Sequence, residues 1–198
     1  MNKRLALMIA LFFGMGLVLS ACATTAPTPT ASNFQAPMIK LAQFEVPQYD
    51  EYWYYDGKVE PTKGKKGDHG APLPMSFLFD IQNPNAFPIL LNSLTYTVVL
   101  DNDFEVITSN VNDSMWIPAG KTDQVRVTTL ITVRSALTGL LLANAPALKA
   151  KGWNAWDTLE KWWTKVPELG VPVGVKNCSF TFTADGVMKV VPFQATAK

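Results

Sequence analysis

Apolar and polar positions alternate with period two along much of the chain. Met75, Phe77, Phe79 and Ile81 alternate with Ser76, Leu78, Asp80 and Gln82, which predicts a strand with one apolar face. It runs into Asn83-Pro84-Asn85, where the residue before proline is held extended, the proline presets a turn dihedral and Asn85 tolerates a left-handed conformation. A second strand follows, with Leu94, Tyr96, Val98 and Leu100 on one face and Thr95, Thr97 and Val99 on the other, and "DNDFEV" from Asp101 is its polar turn. Pro118-Ala119-Gly120 marks another turn, after which Val125, Val127, Thr129, Ile131 and Val133 repeat the alternation. Ile39, Leu41, Phe44 and Val46 predict an earlier strand, and "SFTFTA" and "VMKVVPFQA" predict a closing hairpin around Asp185-Gly186. Short strands with frequent turns predict an all-β, antiparallel β-sandwich.

A helical period replaces the alternation between residues 134 and 166, where a short helical segment is added to the sandwich. Ser135 to Ala145 predicts a helix begun at Ser135 and stopped by Pro146. Beyond it, Ala155, Trp156, Leu159, Trp162, Trp163 and Val166 fall on one arc of a helix and polar residues take the rest. Trp156, Trp162 and Trp163 are thus candidates for two roles. They cap the sandwich with their own rings, or they form a contact face for a partner, an apolar ligand or the bilayer surface.

The amino terminus changes the picture of where this domain sits. Lys3 and Arg4 precede an apolar run from Leu5 to Leu19, followed by Ser20, Ala21 and Cys22. A charged start, an apolar middle and small residues at the end predict a secretory signal over residues 1–21, and the run is shorter than the ~20 residues a membrane span needs. Leu19-Ser20-Ala21-Cys22 resembles the lipobox of bacterial lipoproteins, which implies acylation of Cys22 and tethering to a membrane. With Ala23 after the cysteine, the resemblance implies a periplasm-facing position on the outer membrane of a Gram-negative host. Residues 22–37, rich in Thr, Ala and Pro, predict a flexible spacer, and residues 38–198 the folded domain.

Charge and composition exclude more than they assign. Loss of residues 1–21 leaves 15 basic against 16 acidic residues, a net charge of −1, so no basic face invites nucleic acid. With Cys22 acylated, Cys178 is left without a disulfide partner and reads as a buried structural thiol. The single histidine, His69, lies in the polar loop of residues 63–72 beside Asp68 alone, which is no metal ligand set. In the same region six residues separate Gly57 from Gly64 and Lys65 is followed by Lys66, so the phosphate-loop pattern fails. Asp101 and Asp103 sit in a turn where solvated acids are expected. No nucleophile, base and acid share a context, so no catalytic residue, cofactor or enzyme activity is expected.

Three motifs in order resemble a known family. Phe79-Asp80-Ile81-Gln82-Asn83-Pro84-Asn85, Leu94-Thr95-Tyr96-Thr97-Val98 and Ile117-Pro118-Ala119-Gly120 running into a valine-rich strand are similar to the group-two late embryogenesis abundant proteins, also known as the WHy (water stress and hypersensitive response) domain. The resemblance spans about 60 residues. It implies an immunoglobulin-like or fibronectin-like sandwich without catalytic residues, associated with desiccation and other stresses. Asn83, Pro84 and Asn85 are then structural members of the motif. The expected activity is protection of proteins or membrane through surface contacts. The alternative is a binding module, either an accessory to a protein partner in the envelope or a holder of an apolar ligand.

Overall fold

The computed structural model describes residues 27–47 and 72–197. Among the described residues eight strands and three helices follow in the order β1 (Met38–Glu45), β2 (Leu73–Gln82), β3 (Ile89–Leu100), β4 (Phe104–Val111), β5 (Met115–Ile117), β6 (Thr122–Ile131), α1 (Val133–Leu141), α2 (Ala145–Lys151), α3 (Ala155–Lys165), β7 (Val173–Ala184) and β8 (Val187–Thr196). The fold is β-rich, and every strand pair is antiparallel. One sheet has the order β1-β2-β6; the other has β4-β3-β7-β8, with β5 paired to β3.

The alternation seen in the sequence decides which side chains meet between the sheets. Phe77 of β2 meets Tyr96 of β3 edge to face at 5.9 Å, and Phe79 meets Phe180 of β7 at 5.3 Å. Met75, Phe77, Phe79 and Ile81 are fully buried, as are Tyr96, Val98 and Leu100. In β1 the apolar phase slips between Leu41 and Phe44, and the pairing with β2 shows a register irregularity between Leu41 and Gln43, which puts both residues back on the core side.

Strand directions define two ends of the molecule. At one end lie the β3–β4 turn, where Asp101 and Asn102 have φ of 50° and 66°, and all three helices. At the other lie Asn83 to Asn85, the turn from Pro118 to Gly120, and the β7–β8 turn at Asp185-Gly186, whose positive φ angles fit the hairpin expected there. The twelve residues of β3 run between the ends, about 40 Å at strand rise.

Several expectations need correction. The polar turn after Leu100 ends at Asp103, and Phe104 opens strand β4 fully buried. α1 is capped by Thr132, not begun at Ser135: the Ser135 N–H donates to the Thr132 hydroxyl and the Thr132 N–H donates to Ser135 Oγ. Pro146 does not end a helix but stands in the first turn of α2, where its missing N–H costs nothing. Val133 belongs to α1 rather than to the preceding strand.

The segment expected as a flexible spacer, residues 22–37, meets the domain in its described part, where Phe34 and Pro37 are buried while residues 30–33 stay exposed. Phe34 is 2% exposed and meets Phe87 edge to face at 5.9 Å. Thr30 and Asn33 close a turn, and the Lys189 ammonium from β8 donates to the Phe34 carbonyl. One aromatic side chain and a few backbone hydrogen bonds are enough to seat a segment whose composition is otherwise that of a linker.

Candidate functional site

Two places gather the residues singled out in the sequence. The first is the corner around Asn83, which is fully buried. Its Nδ2 donates to the carbonyls of Phe87 at 2.9 Å, Pro118 at 3.1 Å and Ile117 at 3.2 Å. Its Oδ1 accepts from both the backbone N–H and the side-chain amide of Asn85, each at 2.9 Å. The backbone adds two ties, Asn83 N–H to the Lys121 carbonyl and Gly120 N–H to the Asn85 carbonyl, with Gly120 in the left-handed region at φ 66°. Asn85 in turn holds the amino-terminal segment: its Oδ1 accepts from the Gln35 N–H at 2.7 Å, and its Nδ2 donates to the Gln35 carbonyl at 3.0 Å.

This corner is structural chemistry. Every polar group of the two asparagine side chains has a partner, so none is left for a ligand. Asn85 works through its side chain and is not among the described residues with positive φ, so the expected left-handed turn is not the reason for an asparagine there. The first and third motifs of the family resemblance, Asn83-Pro84-Asn85 and Ile117-Pro118-Ala119-Gly120, are the two segments that Asn83 joins.

The second place is the helical end. Asn154 caps α3, its Oδ1 accepting from the N–H groups of Trp156 and Asp157, and this aims the apolar arc of the helix inward. Ala155, Leu159, Trp162, Trp163 and Val166 are buried, the arc expected from the sequence. Trp162 and Trp163 are fully buried, so the contact face expected of them is corrected: their rings are core, while Trp156 is half-buried and packs against that core. The area they remove from water outweighs any surface role.

Asp101 is the residue the sequence misread. It is 9% exposed rather than solvated. One carboxylate oxygen accepts from the Trp162 indole N–H at 2.8 Å and the other from the Lys161 ammonium at 2.7 Å. Asp103 stays outside and pairs with Lys151 at 2.8 Å, and that ammonium holds its carboxyl below the usual range. Around them Trp153 stacks on Phe104 at 5.7 Å, with Lys161 at 4.4 Å and Lys151 at 5.1 Å from its ring. Gly152, Trp153, Asn154, Asp157, Thr158 and Lys161 line an open groove of about 300 Å³. Trp153, absent from the candidate face, is more exposed than Trp156, Trp162 or Trp163. Because it lies in the α2–α3 connection rather than on α3, the helical period gives no signal for it.

The other candidates carry no chemistry in this fold. Cys178 is buried, and desolvation pushes its thiol up to about 12. At pH 8 its thiolate fraction is on the order of 10³ below that of an ordinary cysteine, so a maleimide reagent should leave it unmodified in the folded protein and label it fully in urea. The Tyr96 hydroxyl is buried without a well-formed hydrogen bond, beside the Ser109–Thr129 hydroxyl pair, and burial raises its pKa. Among the described residues no group of three or more His, Cys, Asp or Glu is placed to hold a metal, and no helix is long and apolar enough to cross a membrane. Residues 1–21, Cys22, His69, Asp68 and the glycines at 57 and 64 lie outside the described residues.

No family model and no curated protein matches the chain. Among solved structures it is similar to a protein from Archaeoglobus fulgidus, at 12% identity and a TM-score of 0.40, covering 82% of this chain and 93% of that one. A structural-genomics target is similar at 9% identity and a TM-score of 0.41, covering 81% and 85%, and a protein from Bordetella pertussis at 8% and 0.40, covering 82% and 92%.

Proposed function

We propose that the protein is a non-catalytic lipoprotein, acylated on Cys22 and held facing the periplasm on the outer membrane of a Gram-negative host. Its domain is an immunoglobulin- or fibronectin-like β-sandwich of the late embryogenesis abundant group-two kind. It shields neighbouring proteins or membrane from water-loss stress through weak contacts of a folded surface. The observation that carries this reading is the tie from Asn83 to Ile117 and Pro118, because it unites in space the segments on which the family resemblance rests. The complete hydrogen bonding of that corner supports a structural motif over a binding one.

The test is to dry and rehydrate a labile reporter enzyme with a concentration series of the mature chain and an inert protein of equal mass beside it. Recovery above the control at up to equimolar ratio is the expected result; recovery equal to the control sinks general protection.

A second reading, a binding module in the envelope, is favoured by the groove beside Trp153. Trp153→Ala is the variant that separates the two. Its side chain is partly exposed but stacks on Phe104 under two ammonium groups, so the substitution should cost about 1–3 kcal/mol in urea unfolding and leave the domain folded. A protectant keeps its activity in this variant, whereas a module using the groove loses its ligand or partner.

A further inference from the structure

The outer face of the larger sheet carries an apolar row at the end away from the helices. Cross-strand pairing sets Trp116 of β5 beside Leu90 of β3, Leu90 beside Thr183 of β7, and Thr183 beside Met188 of β8. Val190 continues the row along β8, opposite Thr181. Trp116 is 60% exposed, Met188 65% and Val190 53%; Met38 of β1 and Leu130 of β6 are similarly exposed, but they stand on the other sheet and at opposite ends of it. The row runs across four strands, about 14 Å at ordinary strand spacing.

The amino-terminal segment is held at the same end of the strands as this row, by Asn85, Phe87 and Lys189. The Phe34 carbonyl is held by Lys189, whose side chain leaves β8 on the core side, the face opposite Met188 and Val190, and the Phe34 ring packs just ahead of β3 on Phe87. From Pro27, the first described residue, five residues of chain reach Cys22, at most about 17 Å when extended. The helical end is farther off by the length of β3.

We propose that the row of Trp116, Leu90, Met188 and Val190 is a membrane-docking surface that lies in the headgroup region of the bilayer to which the chain is tethered. This rests on the reading of Cys22 as the acylated residue. The lipid supplies the affinity and the row supplies orientation: a short tether keeps this end at the bilayer, and burying exposed Met and Val there gains apolar contact while a tryptophan suits the interface. The α1–α3 end, with the groove at Trp153, lies at the far end of the strands from the docked row.

The experiment uses the full acylated chain in vesicles of phosphatidylethanolamine and phosphatidylglycerol, with and without lipids brominated near the headgroup. An environment-sensitive dye is placed by Met188→Cys or Trp116→Cys, and by Lys40→Cys on the outer face of the other sheet as control; Cys178 is buried and does not compete for the label. The mass of the amino-terminal peptide and flotation with vesicles are read on the same samples, and each labelled variant is required to keep the wild-type urea midpoint. The expected result is a lipidated, floating protein in which the brominated lipids quench the dye at 188 and 116 at least threefold more than at 40. Equal quenching at the three positions in a lipidated, floating protein overturns the docking surface and leaves the tether standing. An unlipidated protein that does not float overturns both. A dye at 188 shielded only as protein concentration rises assigns the row to a second copy and also overturns the proposal. If the dye itself disturbs β8, the unlabelled protein serves: vesicles should slow hydrogen exchange at residues 187–194 several-fold in wild type and not in the Trp116→Ser, Met188→Ser, Val190→Ser triple variant, and no slowing in wild type sinks the idea.

Discussion

Asn83→Ala should lower the unfolding free energy by about 3–5 kcal/mol, read as a fall in the urea midpoint at unchanged slope. The side chain is fully buried, and its loss strips a donor from three backbone carbonyls and an acceptor from two Asn85 groups. Each buried group left unsatisfied costs about 1–3 kcal/mol, and water has little room to replace an amide in a corner closed by Phe87 and Ile117. Against a total stability of roughly 5–15 kcal/mol the domain is left marginal. Asn83→Asp is the sharper variant, since it keeps shape and changes only the donor. At neutral pH it sets a buried carboxylate against three carbonyl oxygens and should destabilise at least as much as alanine. A midpoint shift below about 1 kcal/mol in either variant would mean that the corner is held by the backbone ties alone.

Trp162→Ala should cost about 3–5 kcal/mol, the range for emptying a buried aromatic site. Two losses combine. The ring leaves a hole beside Phe104, which it meets edge to face at 5.6 Å, and Asp101 loses the indole N–H that satisfies one of its oxygens. Trp162→Phe separates them, because it keeps most of the volume and should cost about 1–2 kcal/mol for the hydrogen bond alone. A double-mutant cycle with Asp101→Asn should then show a coupling of roughly 1 kcal/mol, since the groups touch. If Trp162→Ala leaves the midpoint unmoved, the helices fold independently of the sheets and the aromatic arc of α3 is again free to act as a contact face.

Strands whose inward residues are mostly apolar were legible in the sequence. β2, β6 and the β7–β8 hairpin stand where the alternation put them, and the apolar arc of α3 is the one that is buried. β4 was not, for a physical reason. Its residues Thr108, Ser109 and Asn110 are polar, and Ser109 meets Thr129 of β6 by a hydroxyl contact rather than by apolar packing, so no period-two signal survives. Phe34 was lost inside a Thr- and Pro-rich stretch because a single anchoring side chain has no periodicity at all. Asp101 shows the limit most plainly. Its turn chemistry was read correctly from its neighbours, but the partners that bury it stand 60 and 61 residues away, and nothing local marks a carboxylate as the acceptor for a distant indole. At the Asn83 corner the turn was foreseen, while the reach of the side chain to a loop 34 residues on was not.

The seating of Phe34 and Gln35 has a mechanical consequence. A pull on the amino terminus, directed away from the end where the chain leaves, first meets the Phe34 packing and the two hydrogen bonds between Gln35 and Asn85. Behind that clasp, β1 runs from this same end toward the helices and is paired along its length with β2. The load therefore falls along the strand axis and strains the β1–β2 ladder in shear, all bonds together, instead of peeling them apart one by one. A domain strung from its amino terminus in this geometry resists tension at the strand that is otherwise its exposed edge.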